Sequence, residues 1–317
     1  MNTIVVSQSN SDTAYSVIRH STSQYLSIRG WQYHIRHWAA TSLVADQPPL
    51  VMLHGYMDVA ASFQFVVDLL PPTRQVISLD WRGFGETVQP QGSYTDSYWF
   101  PDYLGDLDAV LNTLFPQQKI DLLGHSMGGN IAIVYAGIRC ERIRKLINLE
   151  GFGLPDTSPS QAPKRYQKWL DQLAMPKRLR HYDSIWAVAA RMRESNPRLS
   201  LDKAIWLAAH WAVEHVSGEW HLRSDTAHKR VNPILYRDDD IAACRKLISA
   251  PTLWVDGAQS NLLEIFAGEN VETARQLWQT RLNVVPQISH LTIDDCGHMI
   301  HHDQPQVLAN AIEEFLR

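Results

Sequence analysis

A single serine, Ser126, stands between small residues in the stretch Gly-His-Ser-Met-Gly at positions 124–128. An apolar run over residues 120–124 ends at this point, and a helical apolar pattern over 128–139 begins. A serine on a sharp strand-to-helix turn needs small neighbours because the backbone there is strained, and its hydroxyl then projects from the end of the sheet. The pattern predicts a nucleophile; a tight turn in which Ser126 only caps the helix is the alternative.

A serine hydroxyl is a weak nucleophile at neutral pH and needs a base within hydrogen-bond reach. His298, in the stretch Asp-Asp-Cys-Gly-His near the C-terminus, is the candidate base. His301 and His302 begin the next predicted helix, where we expect surface or packing side chains. A His-x-x-His-His run can indicate a metal site, but no cysteine or carboxylate cluster accompanies it in the sequence, so we predict no metal.

Short apolar runs that alternate with helical patterns would position these residues. The predicted strands cover residues 49–55, 75–80, 120–124, 145–150, 251–256 and 288–294, after extended segments within 13–40. The predicted helices cover residues 60–70, 101–114, 128–139, 161–173, 183–194, 201–215, 237–248, 270–282 and 304–316. Continuous apolar strands between helices predict an α/β fold with a mostly parallel sheet flanked by helices.

The alternation stops after residue 153. From 154 to 250 the chain has helical patterns and no clear strand run. We therefore predict a helical cap, or lid, at 154–250, inserted between the two parts of a core formed by 1–153 and 251–317.

Three further stretches lie at the ends of predicted strands. They are Leu-His-Gly-Tyr-Met-Asp at 53–58, Asp-Trp-Arg-Gly-Phe-Gly-Glu-Thr at 80–87 and the Gly-His pair at 297–298. Together with Gly-His-Ser-Met-Gly, and in this order, they resemble the motifs of the α/β-hydrolase family. The resemblance runs over the whole chain and implies an α/β-hydrolase fold with an inserted helical cap.

The resemblance also implies roles for individual residues. His298 corresponds to the general base, and the backbone N–H groups of Tyr56 and Met127 correspond to the oxyanion hole. Asp80 and Arg82 are expected to fix their turn rather than to take part in catalysis.

The resemblance leaves open which carboxylate orients the histidine. The family most often places an aspartate in a Gly-x-x-Asp pattern just beyond the strand at 251–256, but here Ser260 occupies that position. Glu150, at the end of the preceding strand, is our first candidate, in an arrangement similar to that of the haloalkane dehalogenases. Asp256 is the alternative acid, and Glu264 is a further one.

The resemblance implies a carboxylesterase that cleaves small to medium apolar esters through an acyl-enzyme on Ser126. A thioesterase, a lactonase or a carbon–carbon bond hydrolase would use the same triad, and a non-catalytic binding module is a candidate from another class. The tryptophans Trp186, Trp206 and Trp211 of the cap are candidates for substrate contacts. No cofactor is implied, and the expected partner is a small-molecule ester.

The composition excludes several other classes. Lys and Arg number 29 and Asp and Glu 33, a net charge of −4, which argues against a nucleic-acid partner. No run of 18 apolar residues predicts a membrane helix, and the N-terminus lacks the pattern of a signal peptide. Three cysteines without paired spacing fit a reducing compartment, so we expect a cytoplasmic protein. Nothing in the sequence specifies an oligomeric state.

Overall fold

The computed structural model describes residues 14–42, 47–175, 178–262 and 271–317. Within them the strands are β1 (Thr22–Ile28), β2 (Trp31–Trp38), β3 (Leu50–Leu53), β4 (Val76–Leu79), β5 (Ile120–His125), β6 (Ile143–Leu149), β7 (His181–Tyr182), β8 (Ala212–Glu214), β9 (Trp220–Leu222), β10 (Thr252–Gly257) and β11 (Ile288–Ile293). The α-helices are α1 (Gln64–Val67), α2 (Phe100–Leu114), α3 (Met127–Ile138), α4 (Ala162–Ala174), α5 (Ile185–Ser195), α6 (Leu201–Trp211), α7 (Asp238–Lys246), α8 (Val271–Asn283), α9 (Ile300–Asp303) and α10 (Pro305–Leu316).

Eight of the strands form one sheet in the order β1-β2-β4-β3-β5-β6-β10-β11. All pairs from β4 to β11 are parallel, whereas β1 and β2 join one edge in antiparallel pairing. The prediction of an α/β fold with a mostly parallel sheet flanked by helices is confirmed. No helix among the described residues is long and apolar enough to cross a membrane.

The central strands are apolar on both faces because both faces are covered. One face packs on α2, α3 and α8 through residues such as Leu107, Ile131 and Trp278. The other face packs on the segment around α1 and on α10, through Phe63 and Ile312 among others. A strand that is buried on both sides has a continuous apolar sequence, and this pattern predicted β3 and β4.

The turn after β4 is held by one buried carboxylate. Asp80 accepts hydrogen bonds from the backbone N–H groups of Ala60 (2.6 Å) and Glu86 (2.9 Å), and its Oδ2 lies 2.8 Å from His34 Nδ1. Burial alone would raise the pKa of Asp80, but the hydrogen bond and charge of His34 outweigh it and lower the pKa to about 2. A Cβ on Gly85 would lie 2.2 Å from this carboxylate, so the turn requires glycine there.

The region inserted between β6 and β10 contains α4 to α7, as predicted, but it also contains strands. The inserted helical region is therefore confirmed, but the expectation that it holds no strands was wrong, since β7, β9 and β8 form a three-stranded antiparallel sheet. The predicted helix 201–215 ends at Trp211, and β8 follows at once. Strands of two or three residues are too short to show an alternating pattern. The boundaries of the cap at residues 154 and 250 stay a prediction.

His228 joins the inserted region to the core. Its imidazole is stacked between the rings of Phe84 (3.8 Å) and Tyr98 (3.7 Å), and its Nε2 lies 3.1 Å from the carbonyl oxygen of Arg82, to which it can donate. The backbone carbonyl of His228 accepts a hydrogen bond from the hydroxyl of Tyr56 (2.8 Å). Burial lowers the pKa of His228 to about 3, so the ring is neutral in the folded protein at neutral pH.

We predict that His228 makes the fold sensitive to acid. Its pKa is depressed in the folded state, so the unfolded chain binds the proton first as the pH falls below about 6.5, and stability is lost from there downwards. Replacing His228 by Phe keeps a stacked ring and removes this titration. The loss of unfolding free energy between about pH 7.5 and pH 5 should shrink by about 1–2 kcal/mol relative to wild type in urea titrations. The exposed His20→Gln variant is the control, and an equal change in both variants would contradict the assignment.

Candidate active site

The serine lies on a strained turn between β5 and α3. Ser126 has φ 52° and ψ −115°, a conformation that few non-glycine residues adopt, and its N–H donates to the carbonyl of Leu149 (2.8 Å). The turn is possible only because the backbone segments approach closely. A Cβ on Gly128 would lie 2.2 Å from the carbonyl oxygen of Leu53, and a Cβ on Gly124 would lie 2.3 Å from that of Gly128. These distances are the physical reason for the small residues around the serine.

Glu150 follows β6 directly and is buried, with only 1% of its surface exposed. Its Oε1 accepts a hydrogen bond from the backbone N–H of Gly257 (2.8 Å), and its Oε2 accepts one from the hydroxyl of Ser260 (2.5 Å). The same Oε2 lies 3.1 Å from Nδ1 of His298. An ionised carboxylate can only accept, so this contact places the proton of a neutral imidazole on Nδ1 and leaves Nε2 as an acceptor.

The alternative acid is not brought to the histidine. Asp256 Oδ1 lies 2.5 Å from Nε2 of His290 and accepts a hydrogen bond from the hydroxyl of Thr292 (3.0 Å). Both partners belong to β11, and their pairing with β10 puts them beside Asp256. Of the two main candidates, only Glu150 contacts His298. Glu264 lies outside the described residues.

Ser126 and His298 line the same cavity, which has a volume of about 340 Å³. His125, next to the serine, is buried, and its Nε2 lies 2.9 Å from the carbonyl oxygen of His298, to which it can donate. Burial, together with the charges of His301 and His298, lowers the pKa of His125 well below its usual value. His125 therefore stays neutral at neutral pH and can hold the loop that carries His298.

Of the two predicted oxyanion donors, Met127 follows the serine in the chain, whereas Tyr56 belongs to a distant loop that comes close to it in space. Met127 is the first residue of α3, where backbone N–H groups have no partner within the helix. Tyr56 lines the cavity, and the loop before it passes against the serine, since a Cβ on Gly55 would lie 3.2 Å from Cβ of Ser126. The side chain of Met127 packs against the apolar core. That both amides bind an oxyanion stays a prediction.

One of the three candidate tryptophans reaches the cavity. Trp211 lines it and donates a hydrogen bond from Nε1 to Oδ1 of Asp58 (3.1 Å). Trp206 instead packs on Tyr15 and Phe65. Trp186 has 57% of its surface exposed. Neither Trp186 nor Trp206 lines this cavity, so helical spacing within the cap did not identify the face that turns toward the serine.

Sequence reasoning missed the apolar wall of the cavity. Its members come from the inserted region: Tyr182, Val188, Met192, Leu199 and Leu222. The spacing of four residues between Val188 and Met192 on α5 is a signal that could have identified one stripe of this wall. Nothing in the sequence pattern of β7 or β9 indicates that Tyr182 or Leu222 lines the cavity.

A buried carboxylate and several imidazoles lie beside the cavity. Asp58 Oδ2 is 3.6 Å from Nε2 of His301, and the hydroxyl of Ser62 lies 3.1 Å from the same nitrogen and 2.7 Å from Nε2 of His302. Burial alone would raise the pKa of Asp58, but the contacts with His301 outweigh it and lower the pKa. The structure thus brings a carboxylate to the His-x-x-His-His run. One potential ligand atom each from Asp58, His125 and His301 lies within 4.8 Å of the others, so this group could hold a metal ion.

Comparison with known proteins gives the same fold. Residues 48–305 match the sequence model described as the alpha/beta hydrolase fold. A serine hydrolase-like protein of Danio rerio is 23% identical over 278 residues, which cover 85% of this chain and 81% of that protein. A 2-hydroxymuconate semialdehyde hydrolase of a Pseudomonas species is 33% identical over 110 residues, covering 33% of this chain and 37% of that protein. The thioesterase domain from the curacin biosynthetic pathway superposes with a TM-score of 0.78 at 22% identity, covering 93% of this chain and 99% of that domain.

We predict that Glu150→Gln lowers kcat by roughly 10³- to 10⁴-fold, because an amide can turn its NH₂ toward Nδ1 and favour the wrong tautomer of His298. Asp256→Asn is the matched control, since that carboxylate is bound to His290. Steady-state ester hydrolysis with thermal melting as a folding check makes the comparison. A large loss in Asp256→Asn with little change in Glu150→Gln would reverse the assignment.

Ser260→Ala should have a smaller effect, a loss of roughly 5- to 30-fold in kcat, because it removes one of the hydrogen bonds to the Glu150 carboxylate. The double variant Glu150→Gln/Ser260→Asp moves the acid to the position that the family usually employs. We expect it to recover at least about tenfold of the activity lost in Glu150→Gln. No recovery in a correctly folded double variant would show that the position of Ser260 cannot serve His298.

Proposed function

The chain belongs to the α/β-hydrolase fold family, and from this premise we propose that it is a serine hydrolase, specifically a carboxylesterase for small to medium apolar esters. The observation that carries the proposal is the shared cavity of Ser126 and His298, with the carboxylate of Glu150 3.1 Å from Nδ1 of the histidine. The proposed nucleophile and base thus share one cavity, and the proposed acid is buried and in contact with the base, as an acyl-transfer mechanism requires.

In the proposed mechanism, His298 accepts the proton of Ser126 while Oγ attacks the ester carbonyl. The backbone N–H groups of Tyr56 and Met127 stabilise the oxyanion, and one such donor is typically worth about 3–4 kcal/mol. His298 then protonates the leaving alcohol. It next removes a proton from water, which attacks the acyl-enzyme, and then returns this proton to Oγ of Ser126 as the bond between Oγ and the acyl carbon breaks and the acid is released. The negative charge of Glu150 stabilises the imidazolium formed in each step.

The size and lining of the cavity support an apolar substrate of modest size. About 340 Å³ is near the lower end of volumes for pockets that bind small organic molecules. The acyl or alcohol part would contact the wall formed by Tyr182, Val188, Met192, Leu199 and Leu222. Trp211 would contribute its ring while Asp58 holds its indole nitrogen.

Other hydrolytic reactions use the same proposed groups. The relatives include a protein named as a 2-hydroxymuconate semialdehyde hydrolase and a domain named as a thioesterase, and both are distant. The chain is a hydrolase of this superfamily, and what we propose beyond this is that its substrate is an ester. We also propose that the protein is cytoplasmic, because Cys140, Cys244 and Cys296 are free cysteines that form no disulfide among the described residues.

We predict that a fluorophosphonate ester labels the protein stoichiometrically and only at Ser126. After digestion with trypsin, the adduct should be on the peptide of residues 120–139, which lies between Lys119 and Arg139 and contains a single serine. Ser126→Ala should lose both the label and at least about 10³-fold in p-nitrophenyl ester hydrolysis. The absence of both labelling and turnover of any ester or thioester would favour a binding module. Turnover retained in Ser126→Ala would exclude this mechanism.

The cavity also predicts a chain-length preference. For p-nitrophenyl esters from acetate to decanoate, we expect kcat/KM to be highest at intermediate lengths and to fall for decanoate, because the acyl chain then exceeds the apolar wall. Met192→Trp adds bulk to that wall and should move the optimum to shorter esters. An unchanged profile in this variant would show that the acyl group does not bind against α5.

A further inference from the structure

The small sheet of the inserted region has two different faces. Tyr182 of β7 and Leu222 of β9 line the cavity. Their chain neighbours His181 and His221 must lie on the opposite face, because successive side chains of a strand alternate. His181 and His221 are directly paired across the two strands, and their rings are stacked with centroids 3.7 Å apart.

A carboxylate lies close to both imidazoles. Oε2 of Glu219 is 3.7 Å from Nδ1 of His181 and 3.7 Å from Nε2 of His221. One potential ligand atom from each of the three residues lies within 4.8 Å of the others. Two imidazole nitrogens and a carboxylate oxygen are a common ligand set for Zn²⁺ and related transition metals.

The observed spacing is close to what such an ion requires. Bonds of about 2.0–2.2 Å in tetrahedral geometry place ligand atoms about 3.3–3.5 Å apart. The 3.7 Å separations therefore need to shorten by a few tenths of an ångström, and one imidazole has to turn out of the stack so that both nitrogen lone pairs point to the ion. The side chains of His181, His221 and Glu219 are 45%, 29% and 50% exposed, so rotations of this size meet little resistance.

The surroundings of the cluster orient its ligands. Nε2 of His221 is buried and has no hydrogen-bond partner among the described residues, so it is free to bind an ion. His215 stacks on the same ring in a nearly parallel orientation, with centroids 4.7 Å apart. The hydroxyl of Ser217 donates to Oε2 of Glu219 (3.2 Å), the kind of outer contact that orients metal ligands.

We propose that His181, Glu219 and His221 form a binding site for one divalent transition-metal ion of the Zn²⁺ class, with water completing the coordination. The site is separate from the proposed serine chemistry and does not depend on it. An ion here would join β7 to β9 on the outer face of the sheet whose inner face supplies Tyr182 and Leu222 to the cavity. It would therefore stabilise one wall of the cavity by stabilising the folded state that binds it.

The test is Zn²⁺ binding to the full chain, purified without a histidine tag and stripped with a chelator. Isothermal titration should give one ion per chain, and saturating Zn²⁺ should raise the Tm. His181→Asn and His221→Asn should each weaken binding by more than about tenfold and remove the Tm shift, and Glu219→Gln should weaken binding to a similar degree. The control is His290→Asn, which removes another partly exposed, carboxylate-paired imidazole and should bind as wild type does.

Two results would overturn the proposal. One is the absence of stoichiometric Zn²⁺ binding to a folded wild type. The other is binding that persists in the His181→Asn/His221→Asn double variant and disappears in Asp58→Asn, which would place the ion in the buried cluster beside His125 and His301. If a histidine variant misfolds, Glu219→Gln, which alters only an exposed side chain, decides between the outcomes.

Discussion

The contact between the Glu150 carboxylate and the His298 imidazole is the constraint on which the rest of the site depends. It joins the end of β6 to the loop after β11, across the end of β10, whose Gly257 N–H donates to the same carboxylate. Parallel strands present their carboxyl ends at one edge of the sheet, so three neighbouring strand ends can meet there. A buried carboxylate is costly without partners, and the hydroxyl of Ser260 supplies a further one.

Two residues of the proposed triad, Ser126 and Glu150, have strained backbone conformations. Ser126 has φ 52° and Glu150 has φ 56°, and neither residue is a glycine. Such conformations cost of order 1–3 kcal/mol each and persist only where the surroundings impose them. Here the sheet does so, because the N–H of Ser126 donates to Leu149 of β6 and the N–H of Glu150 donates to Val255 of β10. The strands that form the core thus also hold Ser126 and Glu150, two members of the proposed triad, in position.

The inserted region contributes apolar lining of the cavity, whereas the groups of the proposed chemistry belong to the core. Several of its apolar side chains line the cavity that Ser126 also lines, and the hydrogen bond from Trp211 to Asp58 ties this lining to the core. Tyr182 and Leu222 lie on strands of only two or three residues. A contact that stabilises the outer face of this small sheet therefore also stabilises the position of these two side chains in the cavity wall.

By itself, the sequence determined the α/β fold, the strand-to-helix turn at Ser126 and the histidine candidate His298, because buried strands, helical periodicity and tight turns leave local patterns. It limited the acid to a few residues. Only the tertiary structure shows that the Glu150 carboxylate contacts His298 and that the Asp256 carboxylate contacts His290 of β11 instead. Likewise, only the tertiary structure shows that, of the three candidate tryptophans of the cap, Trp211 lines the cavity and Trp186 and Trp206 do not. Contacts between residues distant in the chain are set by how elements pack, and no local pattern records that packing.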